Sequence, residues 1–277
     1  MDNRQDSEPL IAMRDVHKSF GKLPVIRGVS LEVRRGETLA IIGQSGVGKS
    51  VTLRLFLGLL APTSGTCLFQ GRNIAEMDEY QLDELRSHFA MLFQNGALFD
   101  SMTIAENIAF PARMRGIRKR DELMAIVEEK LYQVGLGKNR FPDMPDKMPS
   151  MVSGGQRKRI ALARALAQEP EIMLYDEPTT GLDPIMSDAV ADLIIATRRN
   201  LAHKNLTSVV ITHDMQVAFK TADRIIMLNA GQIAGEGSPD YFRELSARPS
   251  ADGMNESELM IRQFVRGEAS GPIHAVQ

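Results

Sequence analysis

The chain has 277 residues, of which 43% are hydrophobic and 25% charged, with a formal net charge of −2. This is enough apolar material for one large α/β domain, or a domain with an inserted subdomain, and the charge is too balanced to attract nucleic acid or an acidic membrane at long range. The single cysteine, Cys67, excludes an internal disulfide, the polar stretch Met1 to Glu8 is no signal peptide, and no apolar run approaches the roughly 20 residues needed to span a bilayer.

In chain order, Ile11 to Ser19 reads as a strand, Gly21 as a turn and Val25 to Val33 as a returning strand, which together make a small antiparallel sheet. Phe20 lies between the two strands, where an aromatic either stacks on an adenine ring or fills the hairpin. Thr38 to Ile42 is a short apolar run and reads as a buried strand. It leads into Gly43-Gln44-Ser45-Gly46-Val47-Gly48-Lys49-Ser50, and Val51 to Leu60 then reads as a helix ended near Pro62. Strand, glycine-rich loop, Lys-Ser and helix make the arrangement of a P-loop. Its glycines let successive backbone N–H groups curl around phosphate oxygens, and the helix N-terminus adds unpaired donors and partial positive charge. In such a loop Lys49 reaches the β- and γ-phosphates and the Ser50 hydroxyl is a ligand of Mg²⁺. The glycine spacing does not fit Gly-x-Gly-x-x-Gly, which disfavours a dinucleotide fold.

Thr66 to Phe69 reads as a strand, Gly71 to Asn73 as a turn and Tyr80 to Ser87 as a short helix. Phe89 to Phe93 is a further apolar run ending at Gln94, a residue that either bridges a bound Mg²⁺ or attacking water or is simply solvated. Thr103 to Met114 looks helical as far as Pro111, where a kink or break is expected. Asp121 to Val134 is amphipathic, with Leu123, Ile126, Val127, Leu131 and Val134 on its apolar stripe and Glu128, Glu129 and Lys130 facing out. The basic run Arg113, Arg115, Arg118, Lys119 and Arg120 has no interleaved aromatics, so a solvated loop is preferred to a nucleic-acid patch. Phe141 to Pro149 is a proline-rich loop, and residues 95–151 read as a helical insertion.

Val152-Ser153-Gly154-Gly155-Gln156 opens a strong helix over Arg157 to Ala167, with Ser153 as the N-cap and glycines that leave the helix N-terminus bare for an anion. Ile172 to Glu177 is an apolar strand ending in two carboxylates: Asp176 suits Mg²⁺, and Glu177 suits polarising a water for in-line attack on a γ-phosphate. Thr180 to Pro184 turns into a helix lined by Val190, Leu193, Ile194, Thr197 and Leu201. Thr207 to Thr212 is a strand with His213 at its carboxyl end, where ligands bind in such sheets. Asp223 to Asn229 and Gln232 to Gly235 form a hairpin, and helices are expected at Pro239 to Leu245 and Glu256 to Val265, with loose last residues. The acceptor patterns at Asn205 and Asn255 are bystanders.

Taken together, these motifs resemble the ATP-binding cassette (ABC) ATPase family over about residues 10–240. Phe20 matches its adenine-stacking aromatic, Gly43 to Ser50 the Walker A loop, Gln94 the Q-loop and Val152 to Gln156 the signature motif. Ile172 to Asp176 matches the Walker B strand, Glu177 the catalytic carboxylate, Gly181-Leu182-Asp183 the D-loop and His213 the switch histidine. Val152 stands where the family usually has leucine, a conservative apolar change. The resemblance implies a P-loop NTPase (RecA-like) α/β core with an antiparallel β subdomain and an inserted α-helical subdomain. The ABC domain would span 9–240, with the helical part at about 95–165 and a C-terminal extension over 241–277. It implies ATP and Mg²⁺ as cofactors, with Gly43 to Val51, Ser153 to Gln156 and Asp183 around the nucleotide. It also implies head-to-tail pairing, in which the P-loop of one chain and the signature motif of another hold ATP between them.

Within the family, Gly48 to Val51, Leu92 to Thr103, Glu106-Asn107 and Ala109 to Pro111 are similar to the ATPases of Mla/Mce (mammalian-cell-entry) lipid transporters, as are Arg262 to Gly267 and Gly271 to Ile273. The family pairing implies a homodimer, or a heterodimer with a similar chain, and the narrower similarity implies a place on the cytoplasmic face of the inner membrane, an integral membrane permease, an indirect Mce-type lipid-binding partner and no nucleic acid. Gly96 to Met102 would receive the permease or, alternatively, pack under the helical insertion. The competing functions are the ATPase of a different importer, of amino acids or another small solute, and a non-transport ABC ATPase.

Overall fold

A computed structural model describes residues 8–201, 203, 205–249 and 252–273; the start of the polar N-terminal stretch and the last residues expected to be loose lie outside them. The chain divides into two compact units, one holding the residues up to Arg86 and from Thr207 onward, the other Ser87–Leu206. The second unit is wider than the expected helical subdomain, because strands and a long helix cluster with it.

In the first unit, β1 (Ile11–Phe20) pairs antiparallel with β2 (Leu23–Val33) and with β4 (Ser64–Phe69), which takes a two-residue β5 (Arg72–Asn73) at its edge. The turn expected at Gly71 to Asn73 sits instead at Gln70 and Gly71, both at positive φ, so Arg72 and Asn73 are free to pair. The other strands run β10 (Gln232–Gly237), β9 (Arg224–Asn229), β3 (Thr38–Ile42), β8 (Thr207–Thr212). β3 is parallel to both β8 and β9, and β9 and β10 form the expected hairpin with Ala230 and Gly231 at positive φ. Every residue of β3 and β8 is buried, as a continuous apolar run in a covered parallel sheet requires.

Helix α1 (Lys49–Phe56) starts at the P-loop lysine and stops short of the expected Leu60. Gly58 takes a left-handed conformation just past its end, and the Leu59 N–H bonds back to the Arg54 carbonyl at 2.9 Å, closing the last turn. α2 (Glu79–Ser87) follows. α7 (Met215–Thr221), too short to show a period in the sequence, is capped by Asp214. α8 (Pro239–Ala247) and α9 (Glu256–Arg266) are the two helices expected near the end. They are part of the unit's core: Phe242, Leu245, Ile261 and Ile273 are buried in one cluster with Ala40, Ile42, Ala218, Ile225 and Met227. The buried Gln263 side chain exchanges hydrogen bonds with Ile273, accepting its N–H at 2.7 Å and donating to its carbonyl at 3.2 Å.

In the second unit, β6 (Phe89–Leu92) pairs parallel with β7 (Ile172–Asp176). Around them are α3 (Ile104–Met114), α4 (Arg120–Gln133), α5 (Gly154–Leu166) and α6 (Pro184–Asn200). α3 continues as helix past Pro111, where a kink or break was expected, so the chain does not break there. Ile108, Ala109 and Ala112 are buried on both sides of the proline, and packing against α4 and α5 outweighs the one backbone bond that proline removes. Lys130 on α4 does not face out: it is 6% exposed and its ammonium bonds Glu129 Oε1 at 2.7 Å. The stem covers apolar surface while the charge reaches a carboxylate at the rim. No helix among the described residues is long and apolar enough to cross a membrane.

Candidate functional site

In the first unit, β3 delivers the P-loop and β8 delivers His213. Ile42 and Thr212 are register partners on these parallel strands, so Gly43 and His213 leave the sheet side by side at its carboxyl edge. Gly43, Gly46 and Gly48 all have positive φ. A methyl group on Gly43 would overlap the Leu228 carbonyl, and one on Gly48 would run into Ile26, so the loop fits between β9 and β2 only without side chains at these positions. At Gly46 there is open space, which leaves the backbone accessible to a ligand. Val47 is buried beneath the loop, while Ser45 and Ser50 are exposed.

Lys49 is 6% exposed and its ammonium donates to the Gly43 carbonyl at 2.7 Å and the Gln44 carbonyl at 3.0 Å. It therefore spans the curl of the loop with its charge at the centre. α1 has no side-chain cap and no acidic residue in its first turn, which comprises Lys49, Ser50 and Val51, so its partial positive charge is not offset there. A glycine cradle, a central ammonium and an uncapped helix N-terminus suit a polyphosphate. Phe20 is the last residue of β1, not a residue between strands, and faces Leu23 across the hairpin. It is 45% exposed, which rules out the hairpin-core alternative, and the Lys18 ammonium lies 5.3 Å from its ring centre.

In the second unit, Leu92 on β6 and Tyr175 on β7 are register partners, so Gln94, Asp176 and Glu177 emerge together at the carboxyl edge of that strand pair. Glu177 has φ +48, a conformation that a side chain with a Cβ seldom adopts, and such strain concentrates at functional positions. No group of three or more His, Cys, Asp or Glu side chains suited to a metal occurs among the described residues.

The signature segment differs from the expectation of a bare helix end. Ser153 caps α5 and takes part in a full capping box, its hydroxyl accepting from the Gln156 N–H at 3.3 Å while Gln156 Oε1 accepts from the Ser153 N–H at 3.0 Å. The helix starts three residues earlier than expected, at Gly154, and Ser153 and Gly154 are exposed. Asp183 is the N-cap of α6, accepting from the Met186 N–H at 2.9 Å. A methyl on Gly155 would meet the end of Met186, so the first turns of α5 and α6 touch.

The loop after Gln94 is held by three side chains, of which the sequence reading singled out only Asn107, and that for its family resemblance and not for this role. Asn107, fully buried on α3, accepts from the Phe99 N–H at 2.8 Å and donates to the carbonyls of Phe99, Met102 and Thr103. Arg164 on α5 donates to Ala97 O at 2.7 Å and Gly96 O at 3.1 Å, with its guanidinium 5.5 Å from the Phe99 ring centre. Lys158 donates to the Gln94 carbonyl. The only sign of these roles in the sequence is polar residues on otherwise apolar helix faces. Phe93 and Phe99 remain exposed on the ordered loop.

The model of the ABC transporter family matches residues 26–180. The chain belongs to the ABC transporter family. It is an ABC ATPase domain with the mixed α/β fold of that group; it binds ATP and hydrolyses it. The chloroplastic protein trigalactosyldiacylglycerol 3 of Arabidopsis thaliana is 36% identical over 97% of this chain and 76% of its own length. A methionine import ATP-binding protein, MetN, of Caulobacter vibrioides is 38% identical over 96% of the chain and 75% of its own length. Among solved structures, the ABC ATPase resembles the dimeric post-hydrolysis state of the cassette MJ0796 bound to ADP and Pi. That match has a TM-score of 0.73 and 30% identity, covering 83% of this chain and 98% of the other.

Proposed function

We propose that this ABC ATPase powers the movement of a lipid as one of two copies bound to a membrane permease, with an Mce-type lipid-binding protein further along the assembly. In this reading Gly43 to Val51 wrap the phosphates, and Lys49 neutralises the β- and γ-oxygens. Ser50, Asp176 and Gln94 would hold Mg²⁺, which neutralises phosphate charge when bound. Glu177 accepts hydrogen bonding from the attacking water and aligns it, His213 donates to the γ-phosphate, and Phe20 stacks on the adenine. Ser153, Gly154, Gly155, Gln156 and Asp183 act on the nucleotide of the partner copy. A two-copy arrangement accords with the exposure of Ser153 and Gly154 and with the dimeric state described for MJ0796.

The observation that carries the permease reading is the loop Phe93 to Thr103. It presents exposed Phe93 and Phe99 and is pinned by Asn107 and Arg164, a combination suited to receiving a partner segment without losing shape. Support for a lipid comes from the resemblance of that loop and of the tail, and from a relative named for a galactosylated diacylglycerol. The relative named for methionine import favours a small polar solute instead. Purification of the chain with its membrane partner, followed by extraction and mass spectrometry, separates the two: bound lipid supports the proposal, and methionine-stimulated ATP hydrolysis without lipid overturns it.

A further inference from the structure

Lys158 makes a contact that the proposed function leaves unused. It lies on the buried side of α5, 8% exposed, near Ile160, Ala161 and Leu162. Its ammonium donates to the Gln94 carbonyl, its one hydrogen-bond partner among the described residues. A methionine would fill the same volume without the cost of taking a charge out of water, so the ammonium is an expensive way to pack this position. The carbonyl it holds belongs to the residue that leaves β6 toward the candidate Mg²⁺ site. Arg164, from the same helix, fixes two further carbonyls of the loop, those of Gly96 and Ala97, and both residues have positive φ. The N-terminal end of that helix is the exposed Ser153-Gly154 signature segment.

We propose that Lys158 is a positioning residue for ATP hydrolysis: it ties the Gln94 backbone to the signature helix, so that the Gln94 amide and Ser153 keep a fixed spacing. This rests on the reading of Gln94 and Ser153 as ATP-site groups. Lys158 touches neither nucleotide nor water; it acts through Gln94.

The test is steady-state ATP hydrolysis by the full chain carrying Lys158→Met, Lys158→Arg, Gln94→Ala, and Lys158→Met with Gln94→Ala. Thermal unfolding of each variant is followed alongside. Lys158→Met is expected to lower kcat about tenfold with KM for ATP changed less than about twofold, and Lys158→Arg to restore most of the turnover. The double variant should be no slower than Gln94→Ala alone, since a residue that acts through Gln94 has nothing left to position. Lys158→Gln, which shortens the reach and removes the charge, replaces the methionine variant if that protein does not fold. Normal kcat in the Lys158 variants beside a slow Gln94→Ala overturns the proposal, as does a multiplicative loss in the double variant. Normal kcat in Gln94→Ala overturns the reading of Gln94 itself.

Discussion

Replacing Asn107 with alanine should unpin the exposed loop while leaving the P-loop residues as they are. The side chain is fully buried, accepts one hydrogen bond and is within reach of three carbonyls with the two protons of Nδ2. That amounts to the equivalent of about three bonds at about 1 kcal/mol each, and stranded polar groups raise the cost rather than lower it. A loss of about 3 kcal/mol in a domain of this size corresponds to about 6 °C in the unfolding midpoint. Differential scanning fluorimetry on the full chain measures that shift, and hydrogen exchange at the Phe99 amide reports the local opening. Asn107→Asp keeps the acceptor for the Phe99 N–H but turns a carboxylate toward three carbonyl oxygens, so it should cost at least as much as alanine. A midpoint lowered by less than about 1 °C in Asn107→Ala, with unchanged protection at Phe99, would refute the claim that this side chain holds the loop.

Gly43→Ala should reduce nucleotide binding at least about tenfold, because the new methyl meets the Leu228 backbone carbonyl, which cannot swing away; titration with a fluorescent ATP analogue reads this out. Lys49→Ala should abolish hydrolysis, whereas Glu177→Gln should bind ATP and accumulate as a dimer on size exclusion; turnover at the normal rate in Glu177→Gln would remove Glu177 from its assigned role. The Cys67 thiol, pushed up to about 12 by burial, should resist iodoacetamide at pH 8 in the native state and react only on unfolding. Since its folded pKa lies above the unfolded value of about 9, its contribution to stability is present below pH 9 and declines between pH 9 and 12. The variant Cys67→Ala should lack that alkaline component. Arg224→Met leaves Glu37, which is nearly buried, without its 2.7 Å partner and should destabilise the first unit by about 3 kcal/mol in urea unfolding.

Local patterns alone were sufficient for much of this protein. The apolar runs Thr38 to Ile42 and Thr207 to Thr212 are strands at the stated bounds because a fully covered parallel strand has no polar face to blur them. The P-loop was legible because its glycines answer to a backbone shape that no other residue adopts cheaply, and the order of Gln94, Ser153, Asp176, Glu177 and His213 followed as motif spacing. Tertiary structure decided what depends on neighbours distant in sequence. Pro111 breaks an isolated helix but not one wedged between α4 and α5, and Lys130 can be buried because Glu129 meets its charge. The C-terminal helices read as an extension, yet Ile261 and Ile273 complete the core beside β3 and β9. Register, which no single strand encodes, put His213 beside the P-loop and Gln94 beside Glu177. Likewise Asn107, Lys158 and Arg164 gained their roles only when folding brought the carbonyls of a loop within reach of their donors.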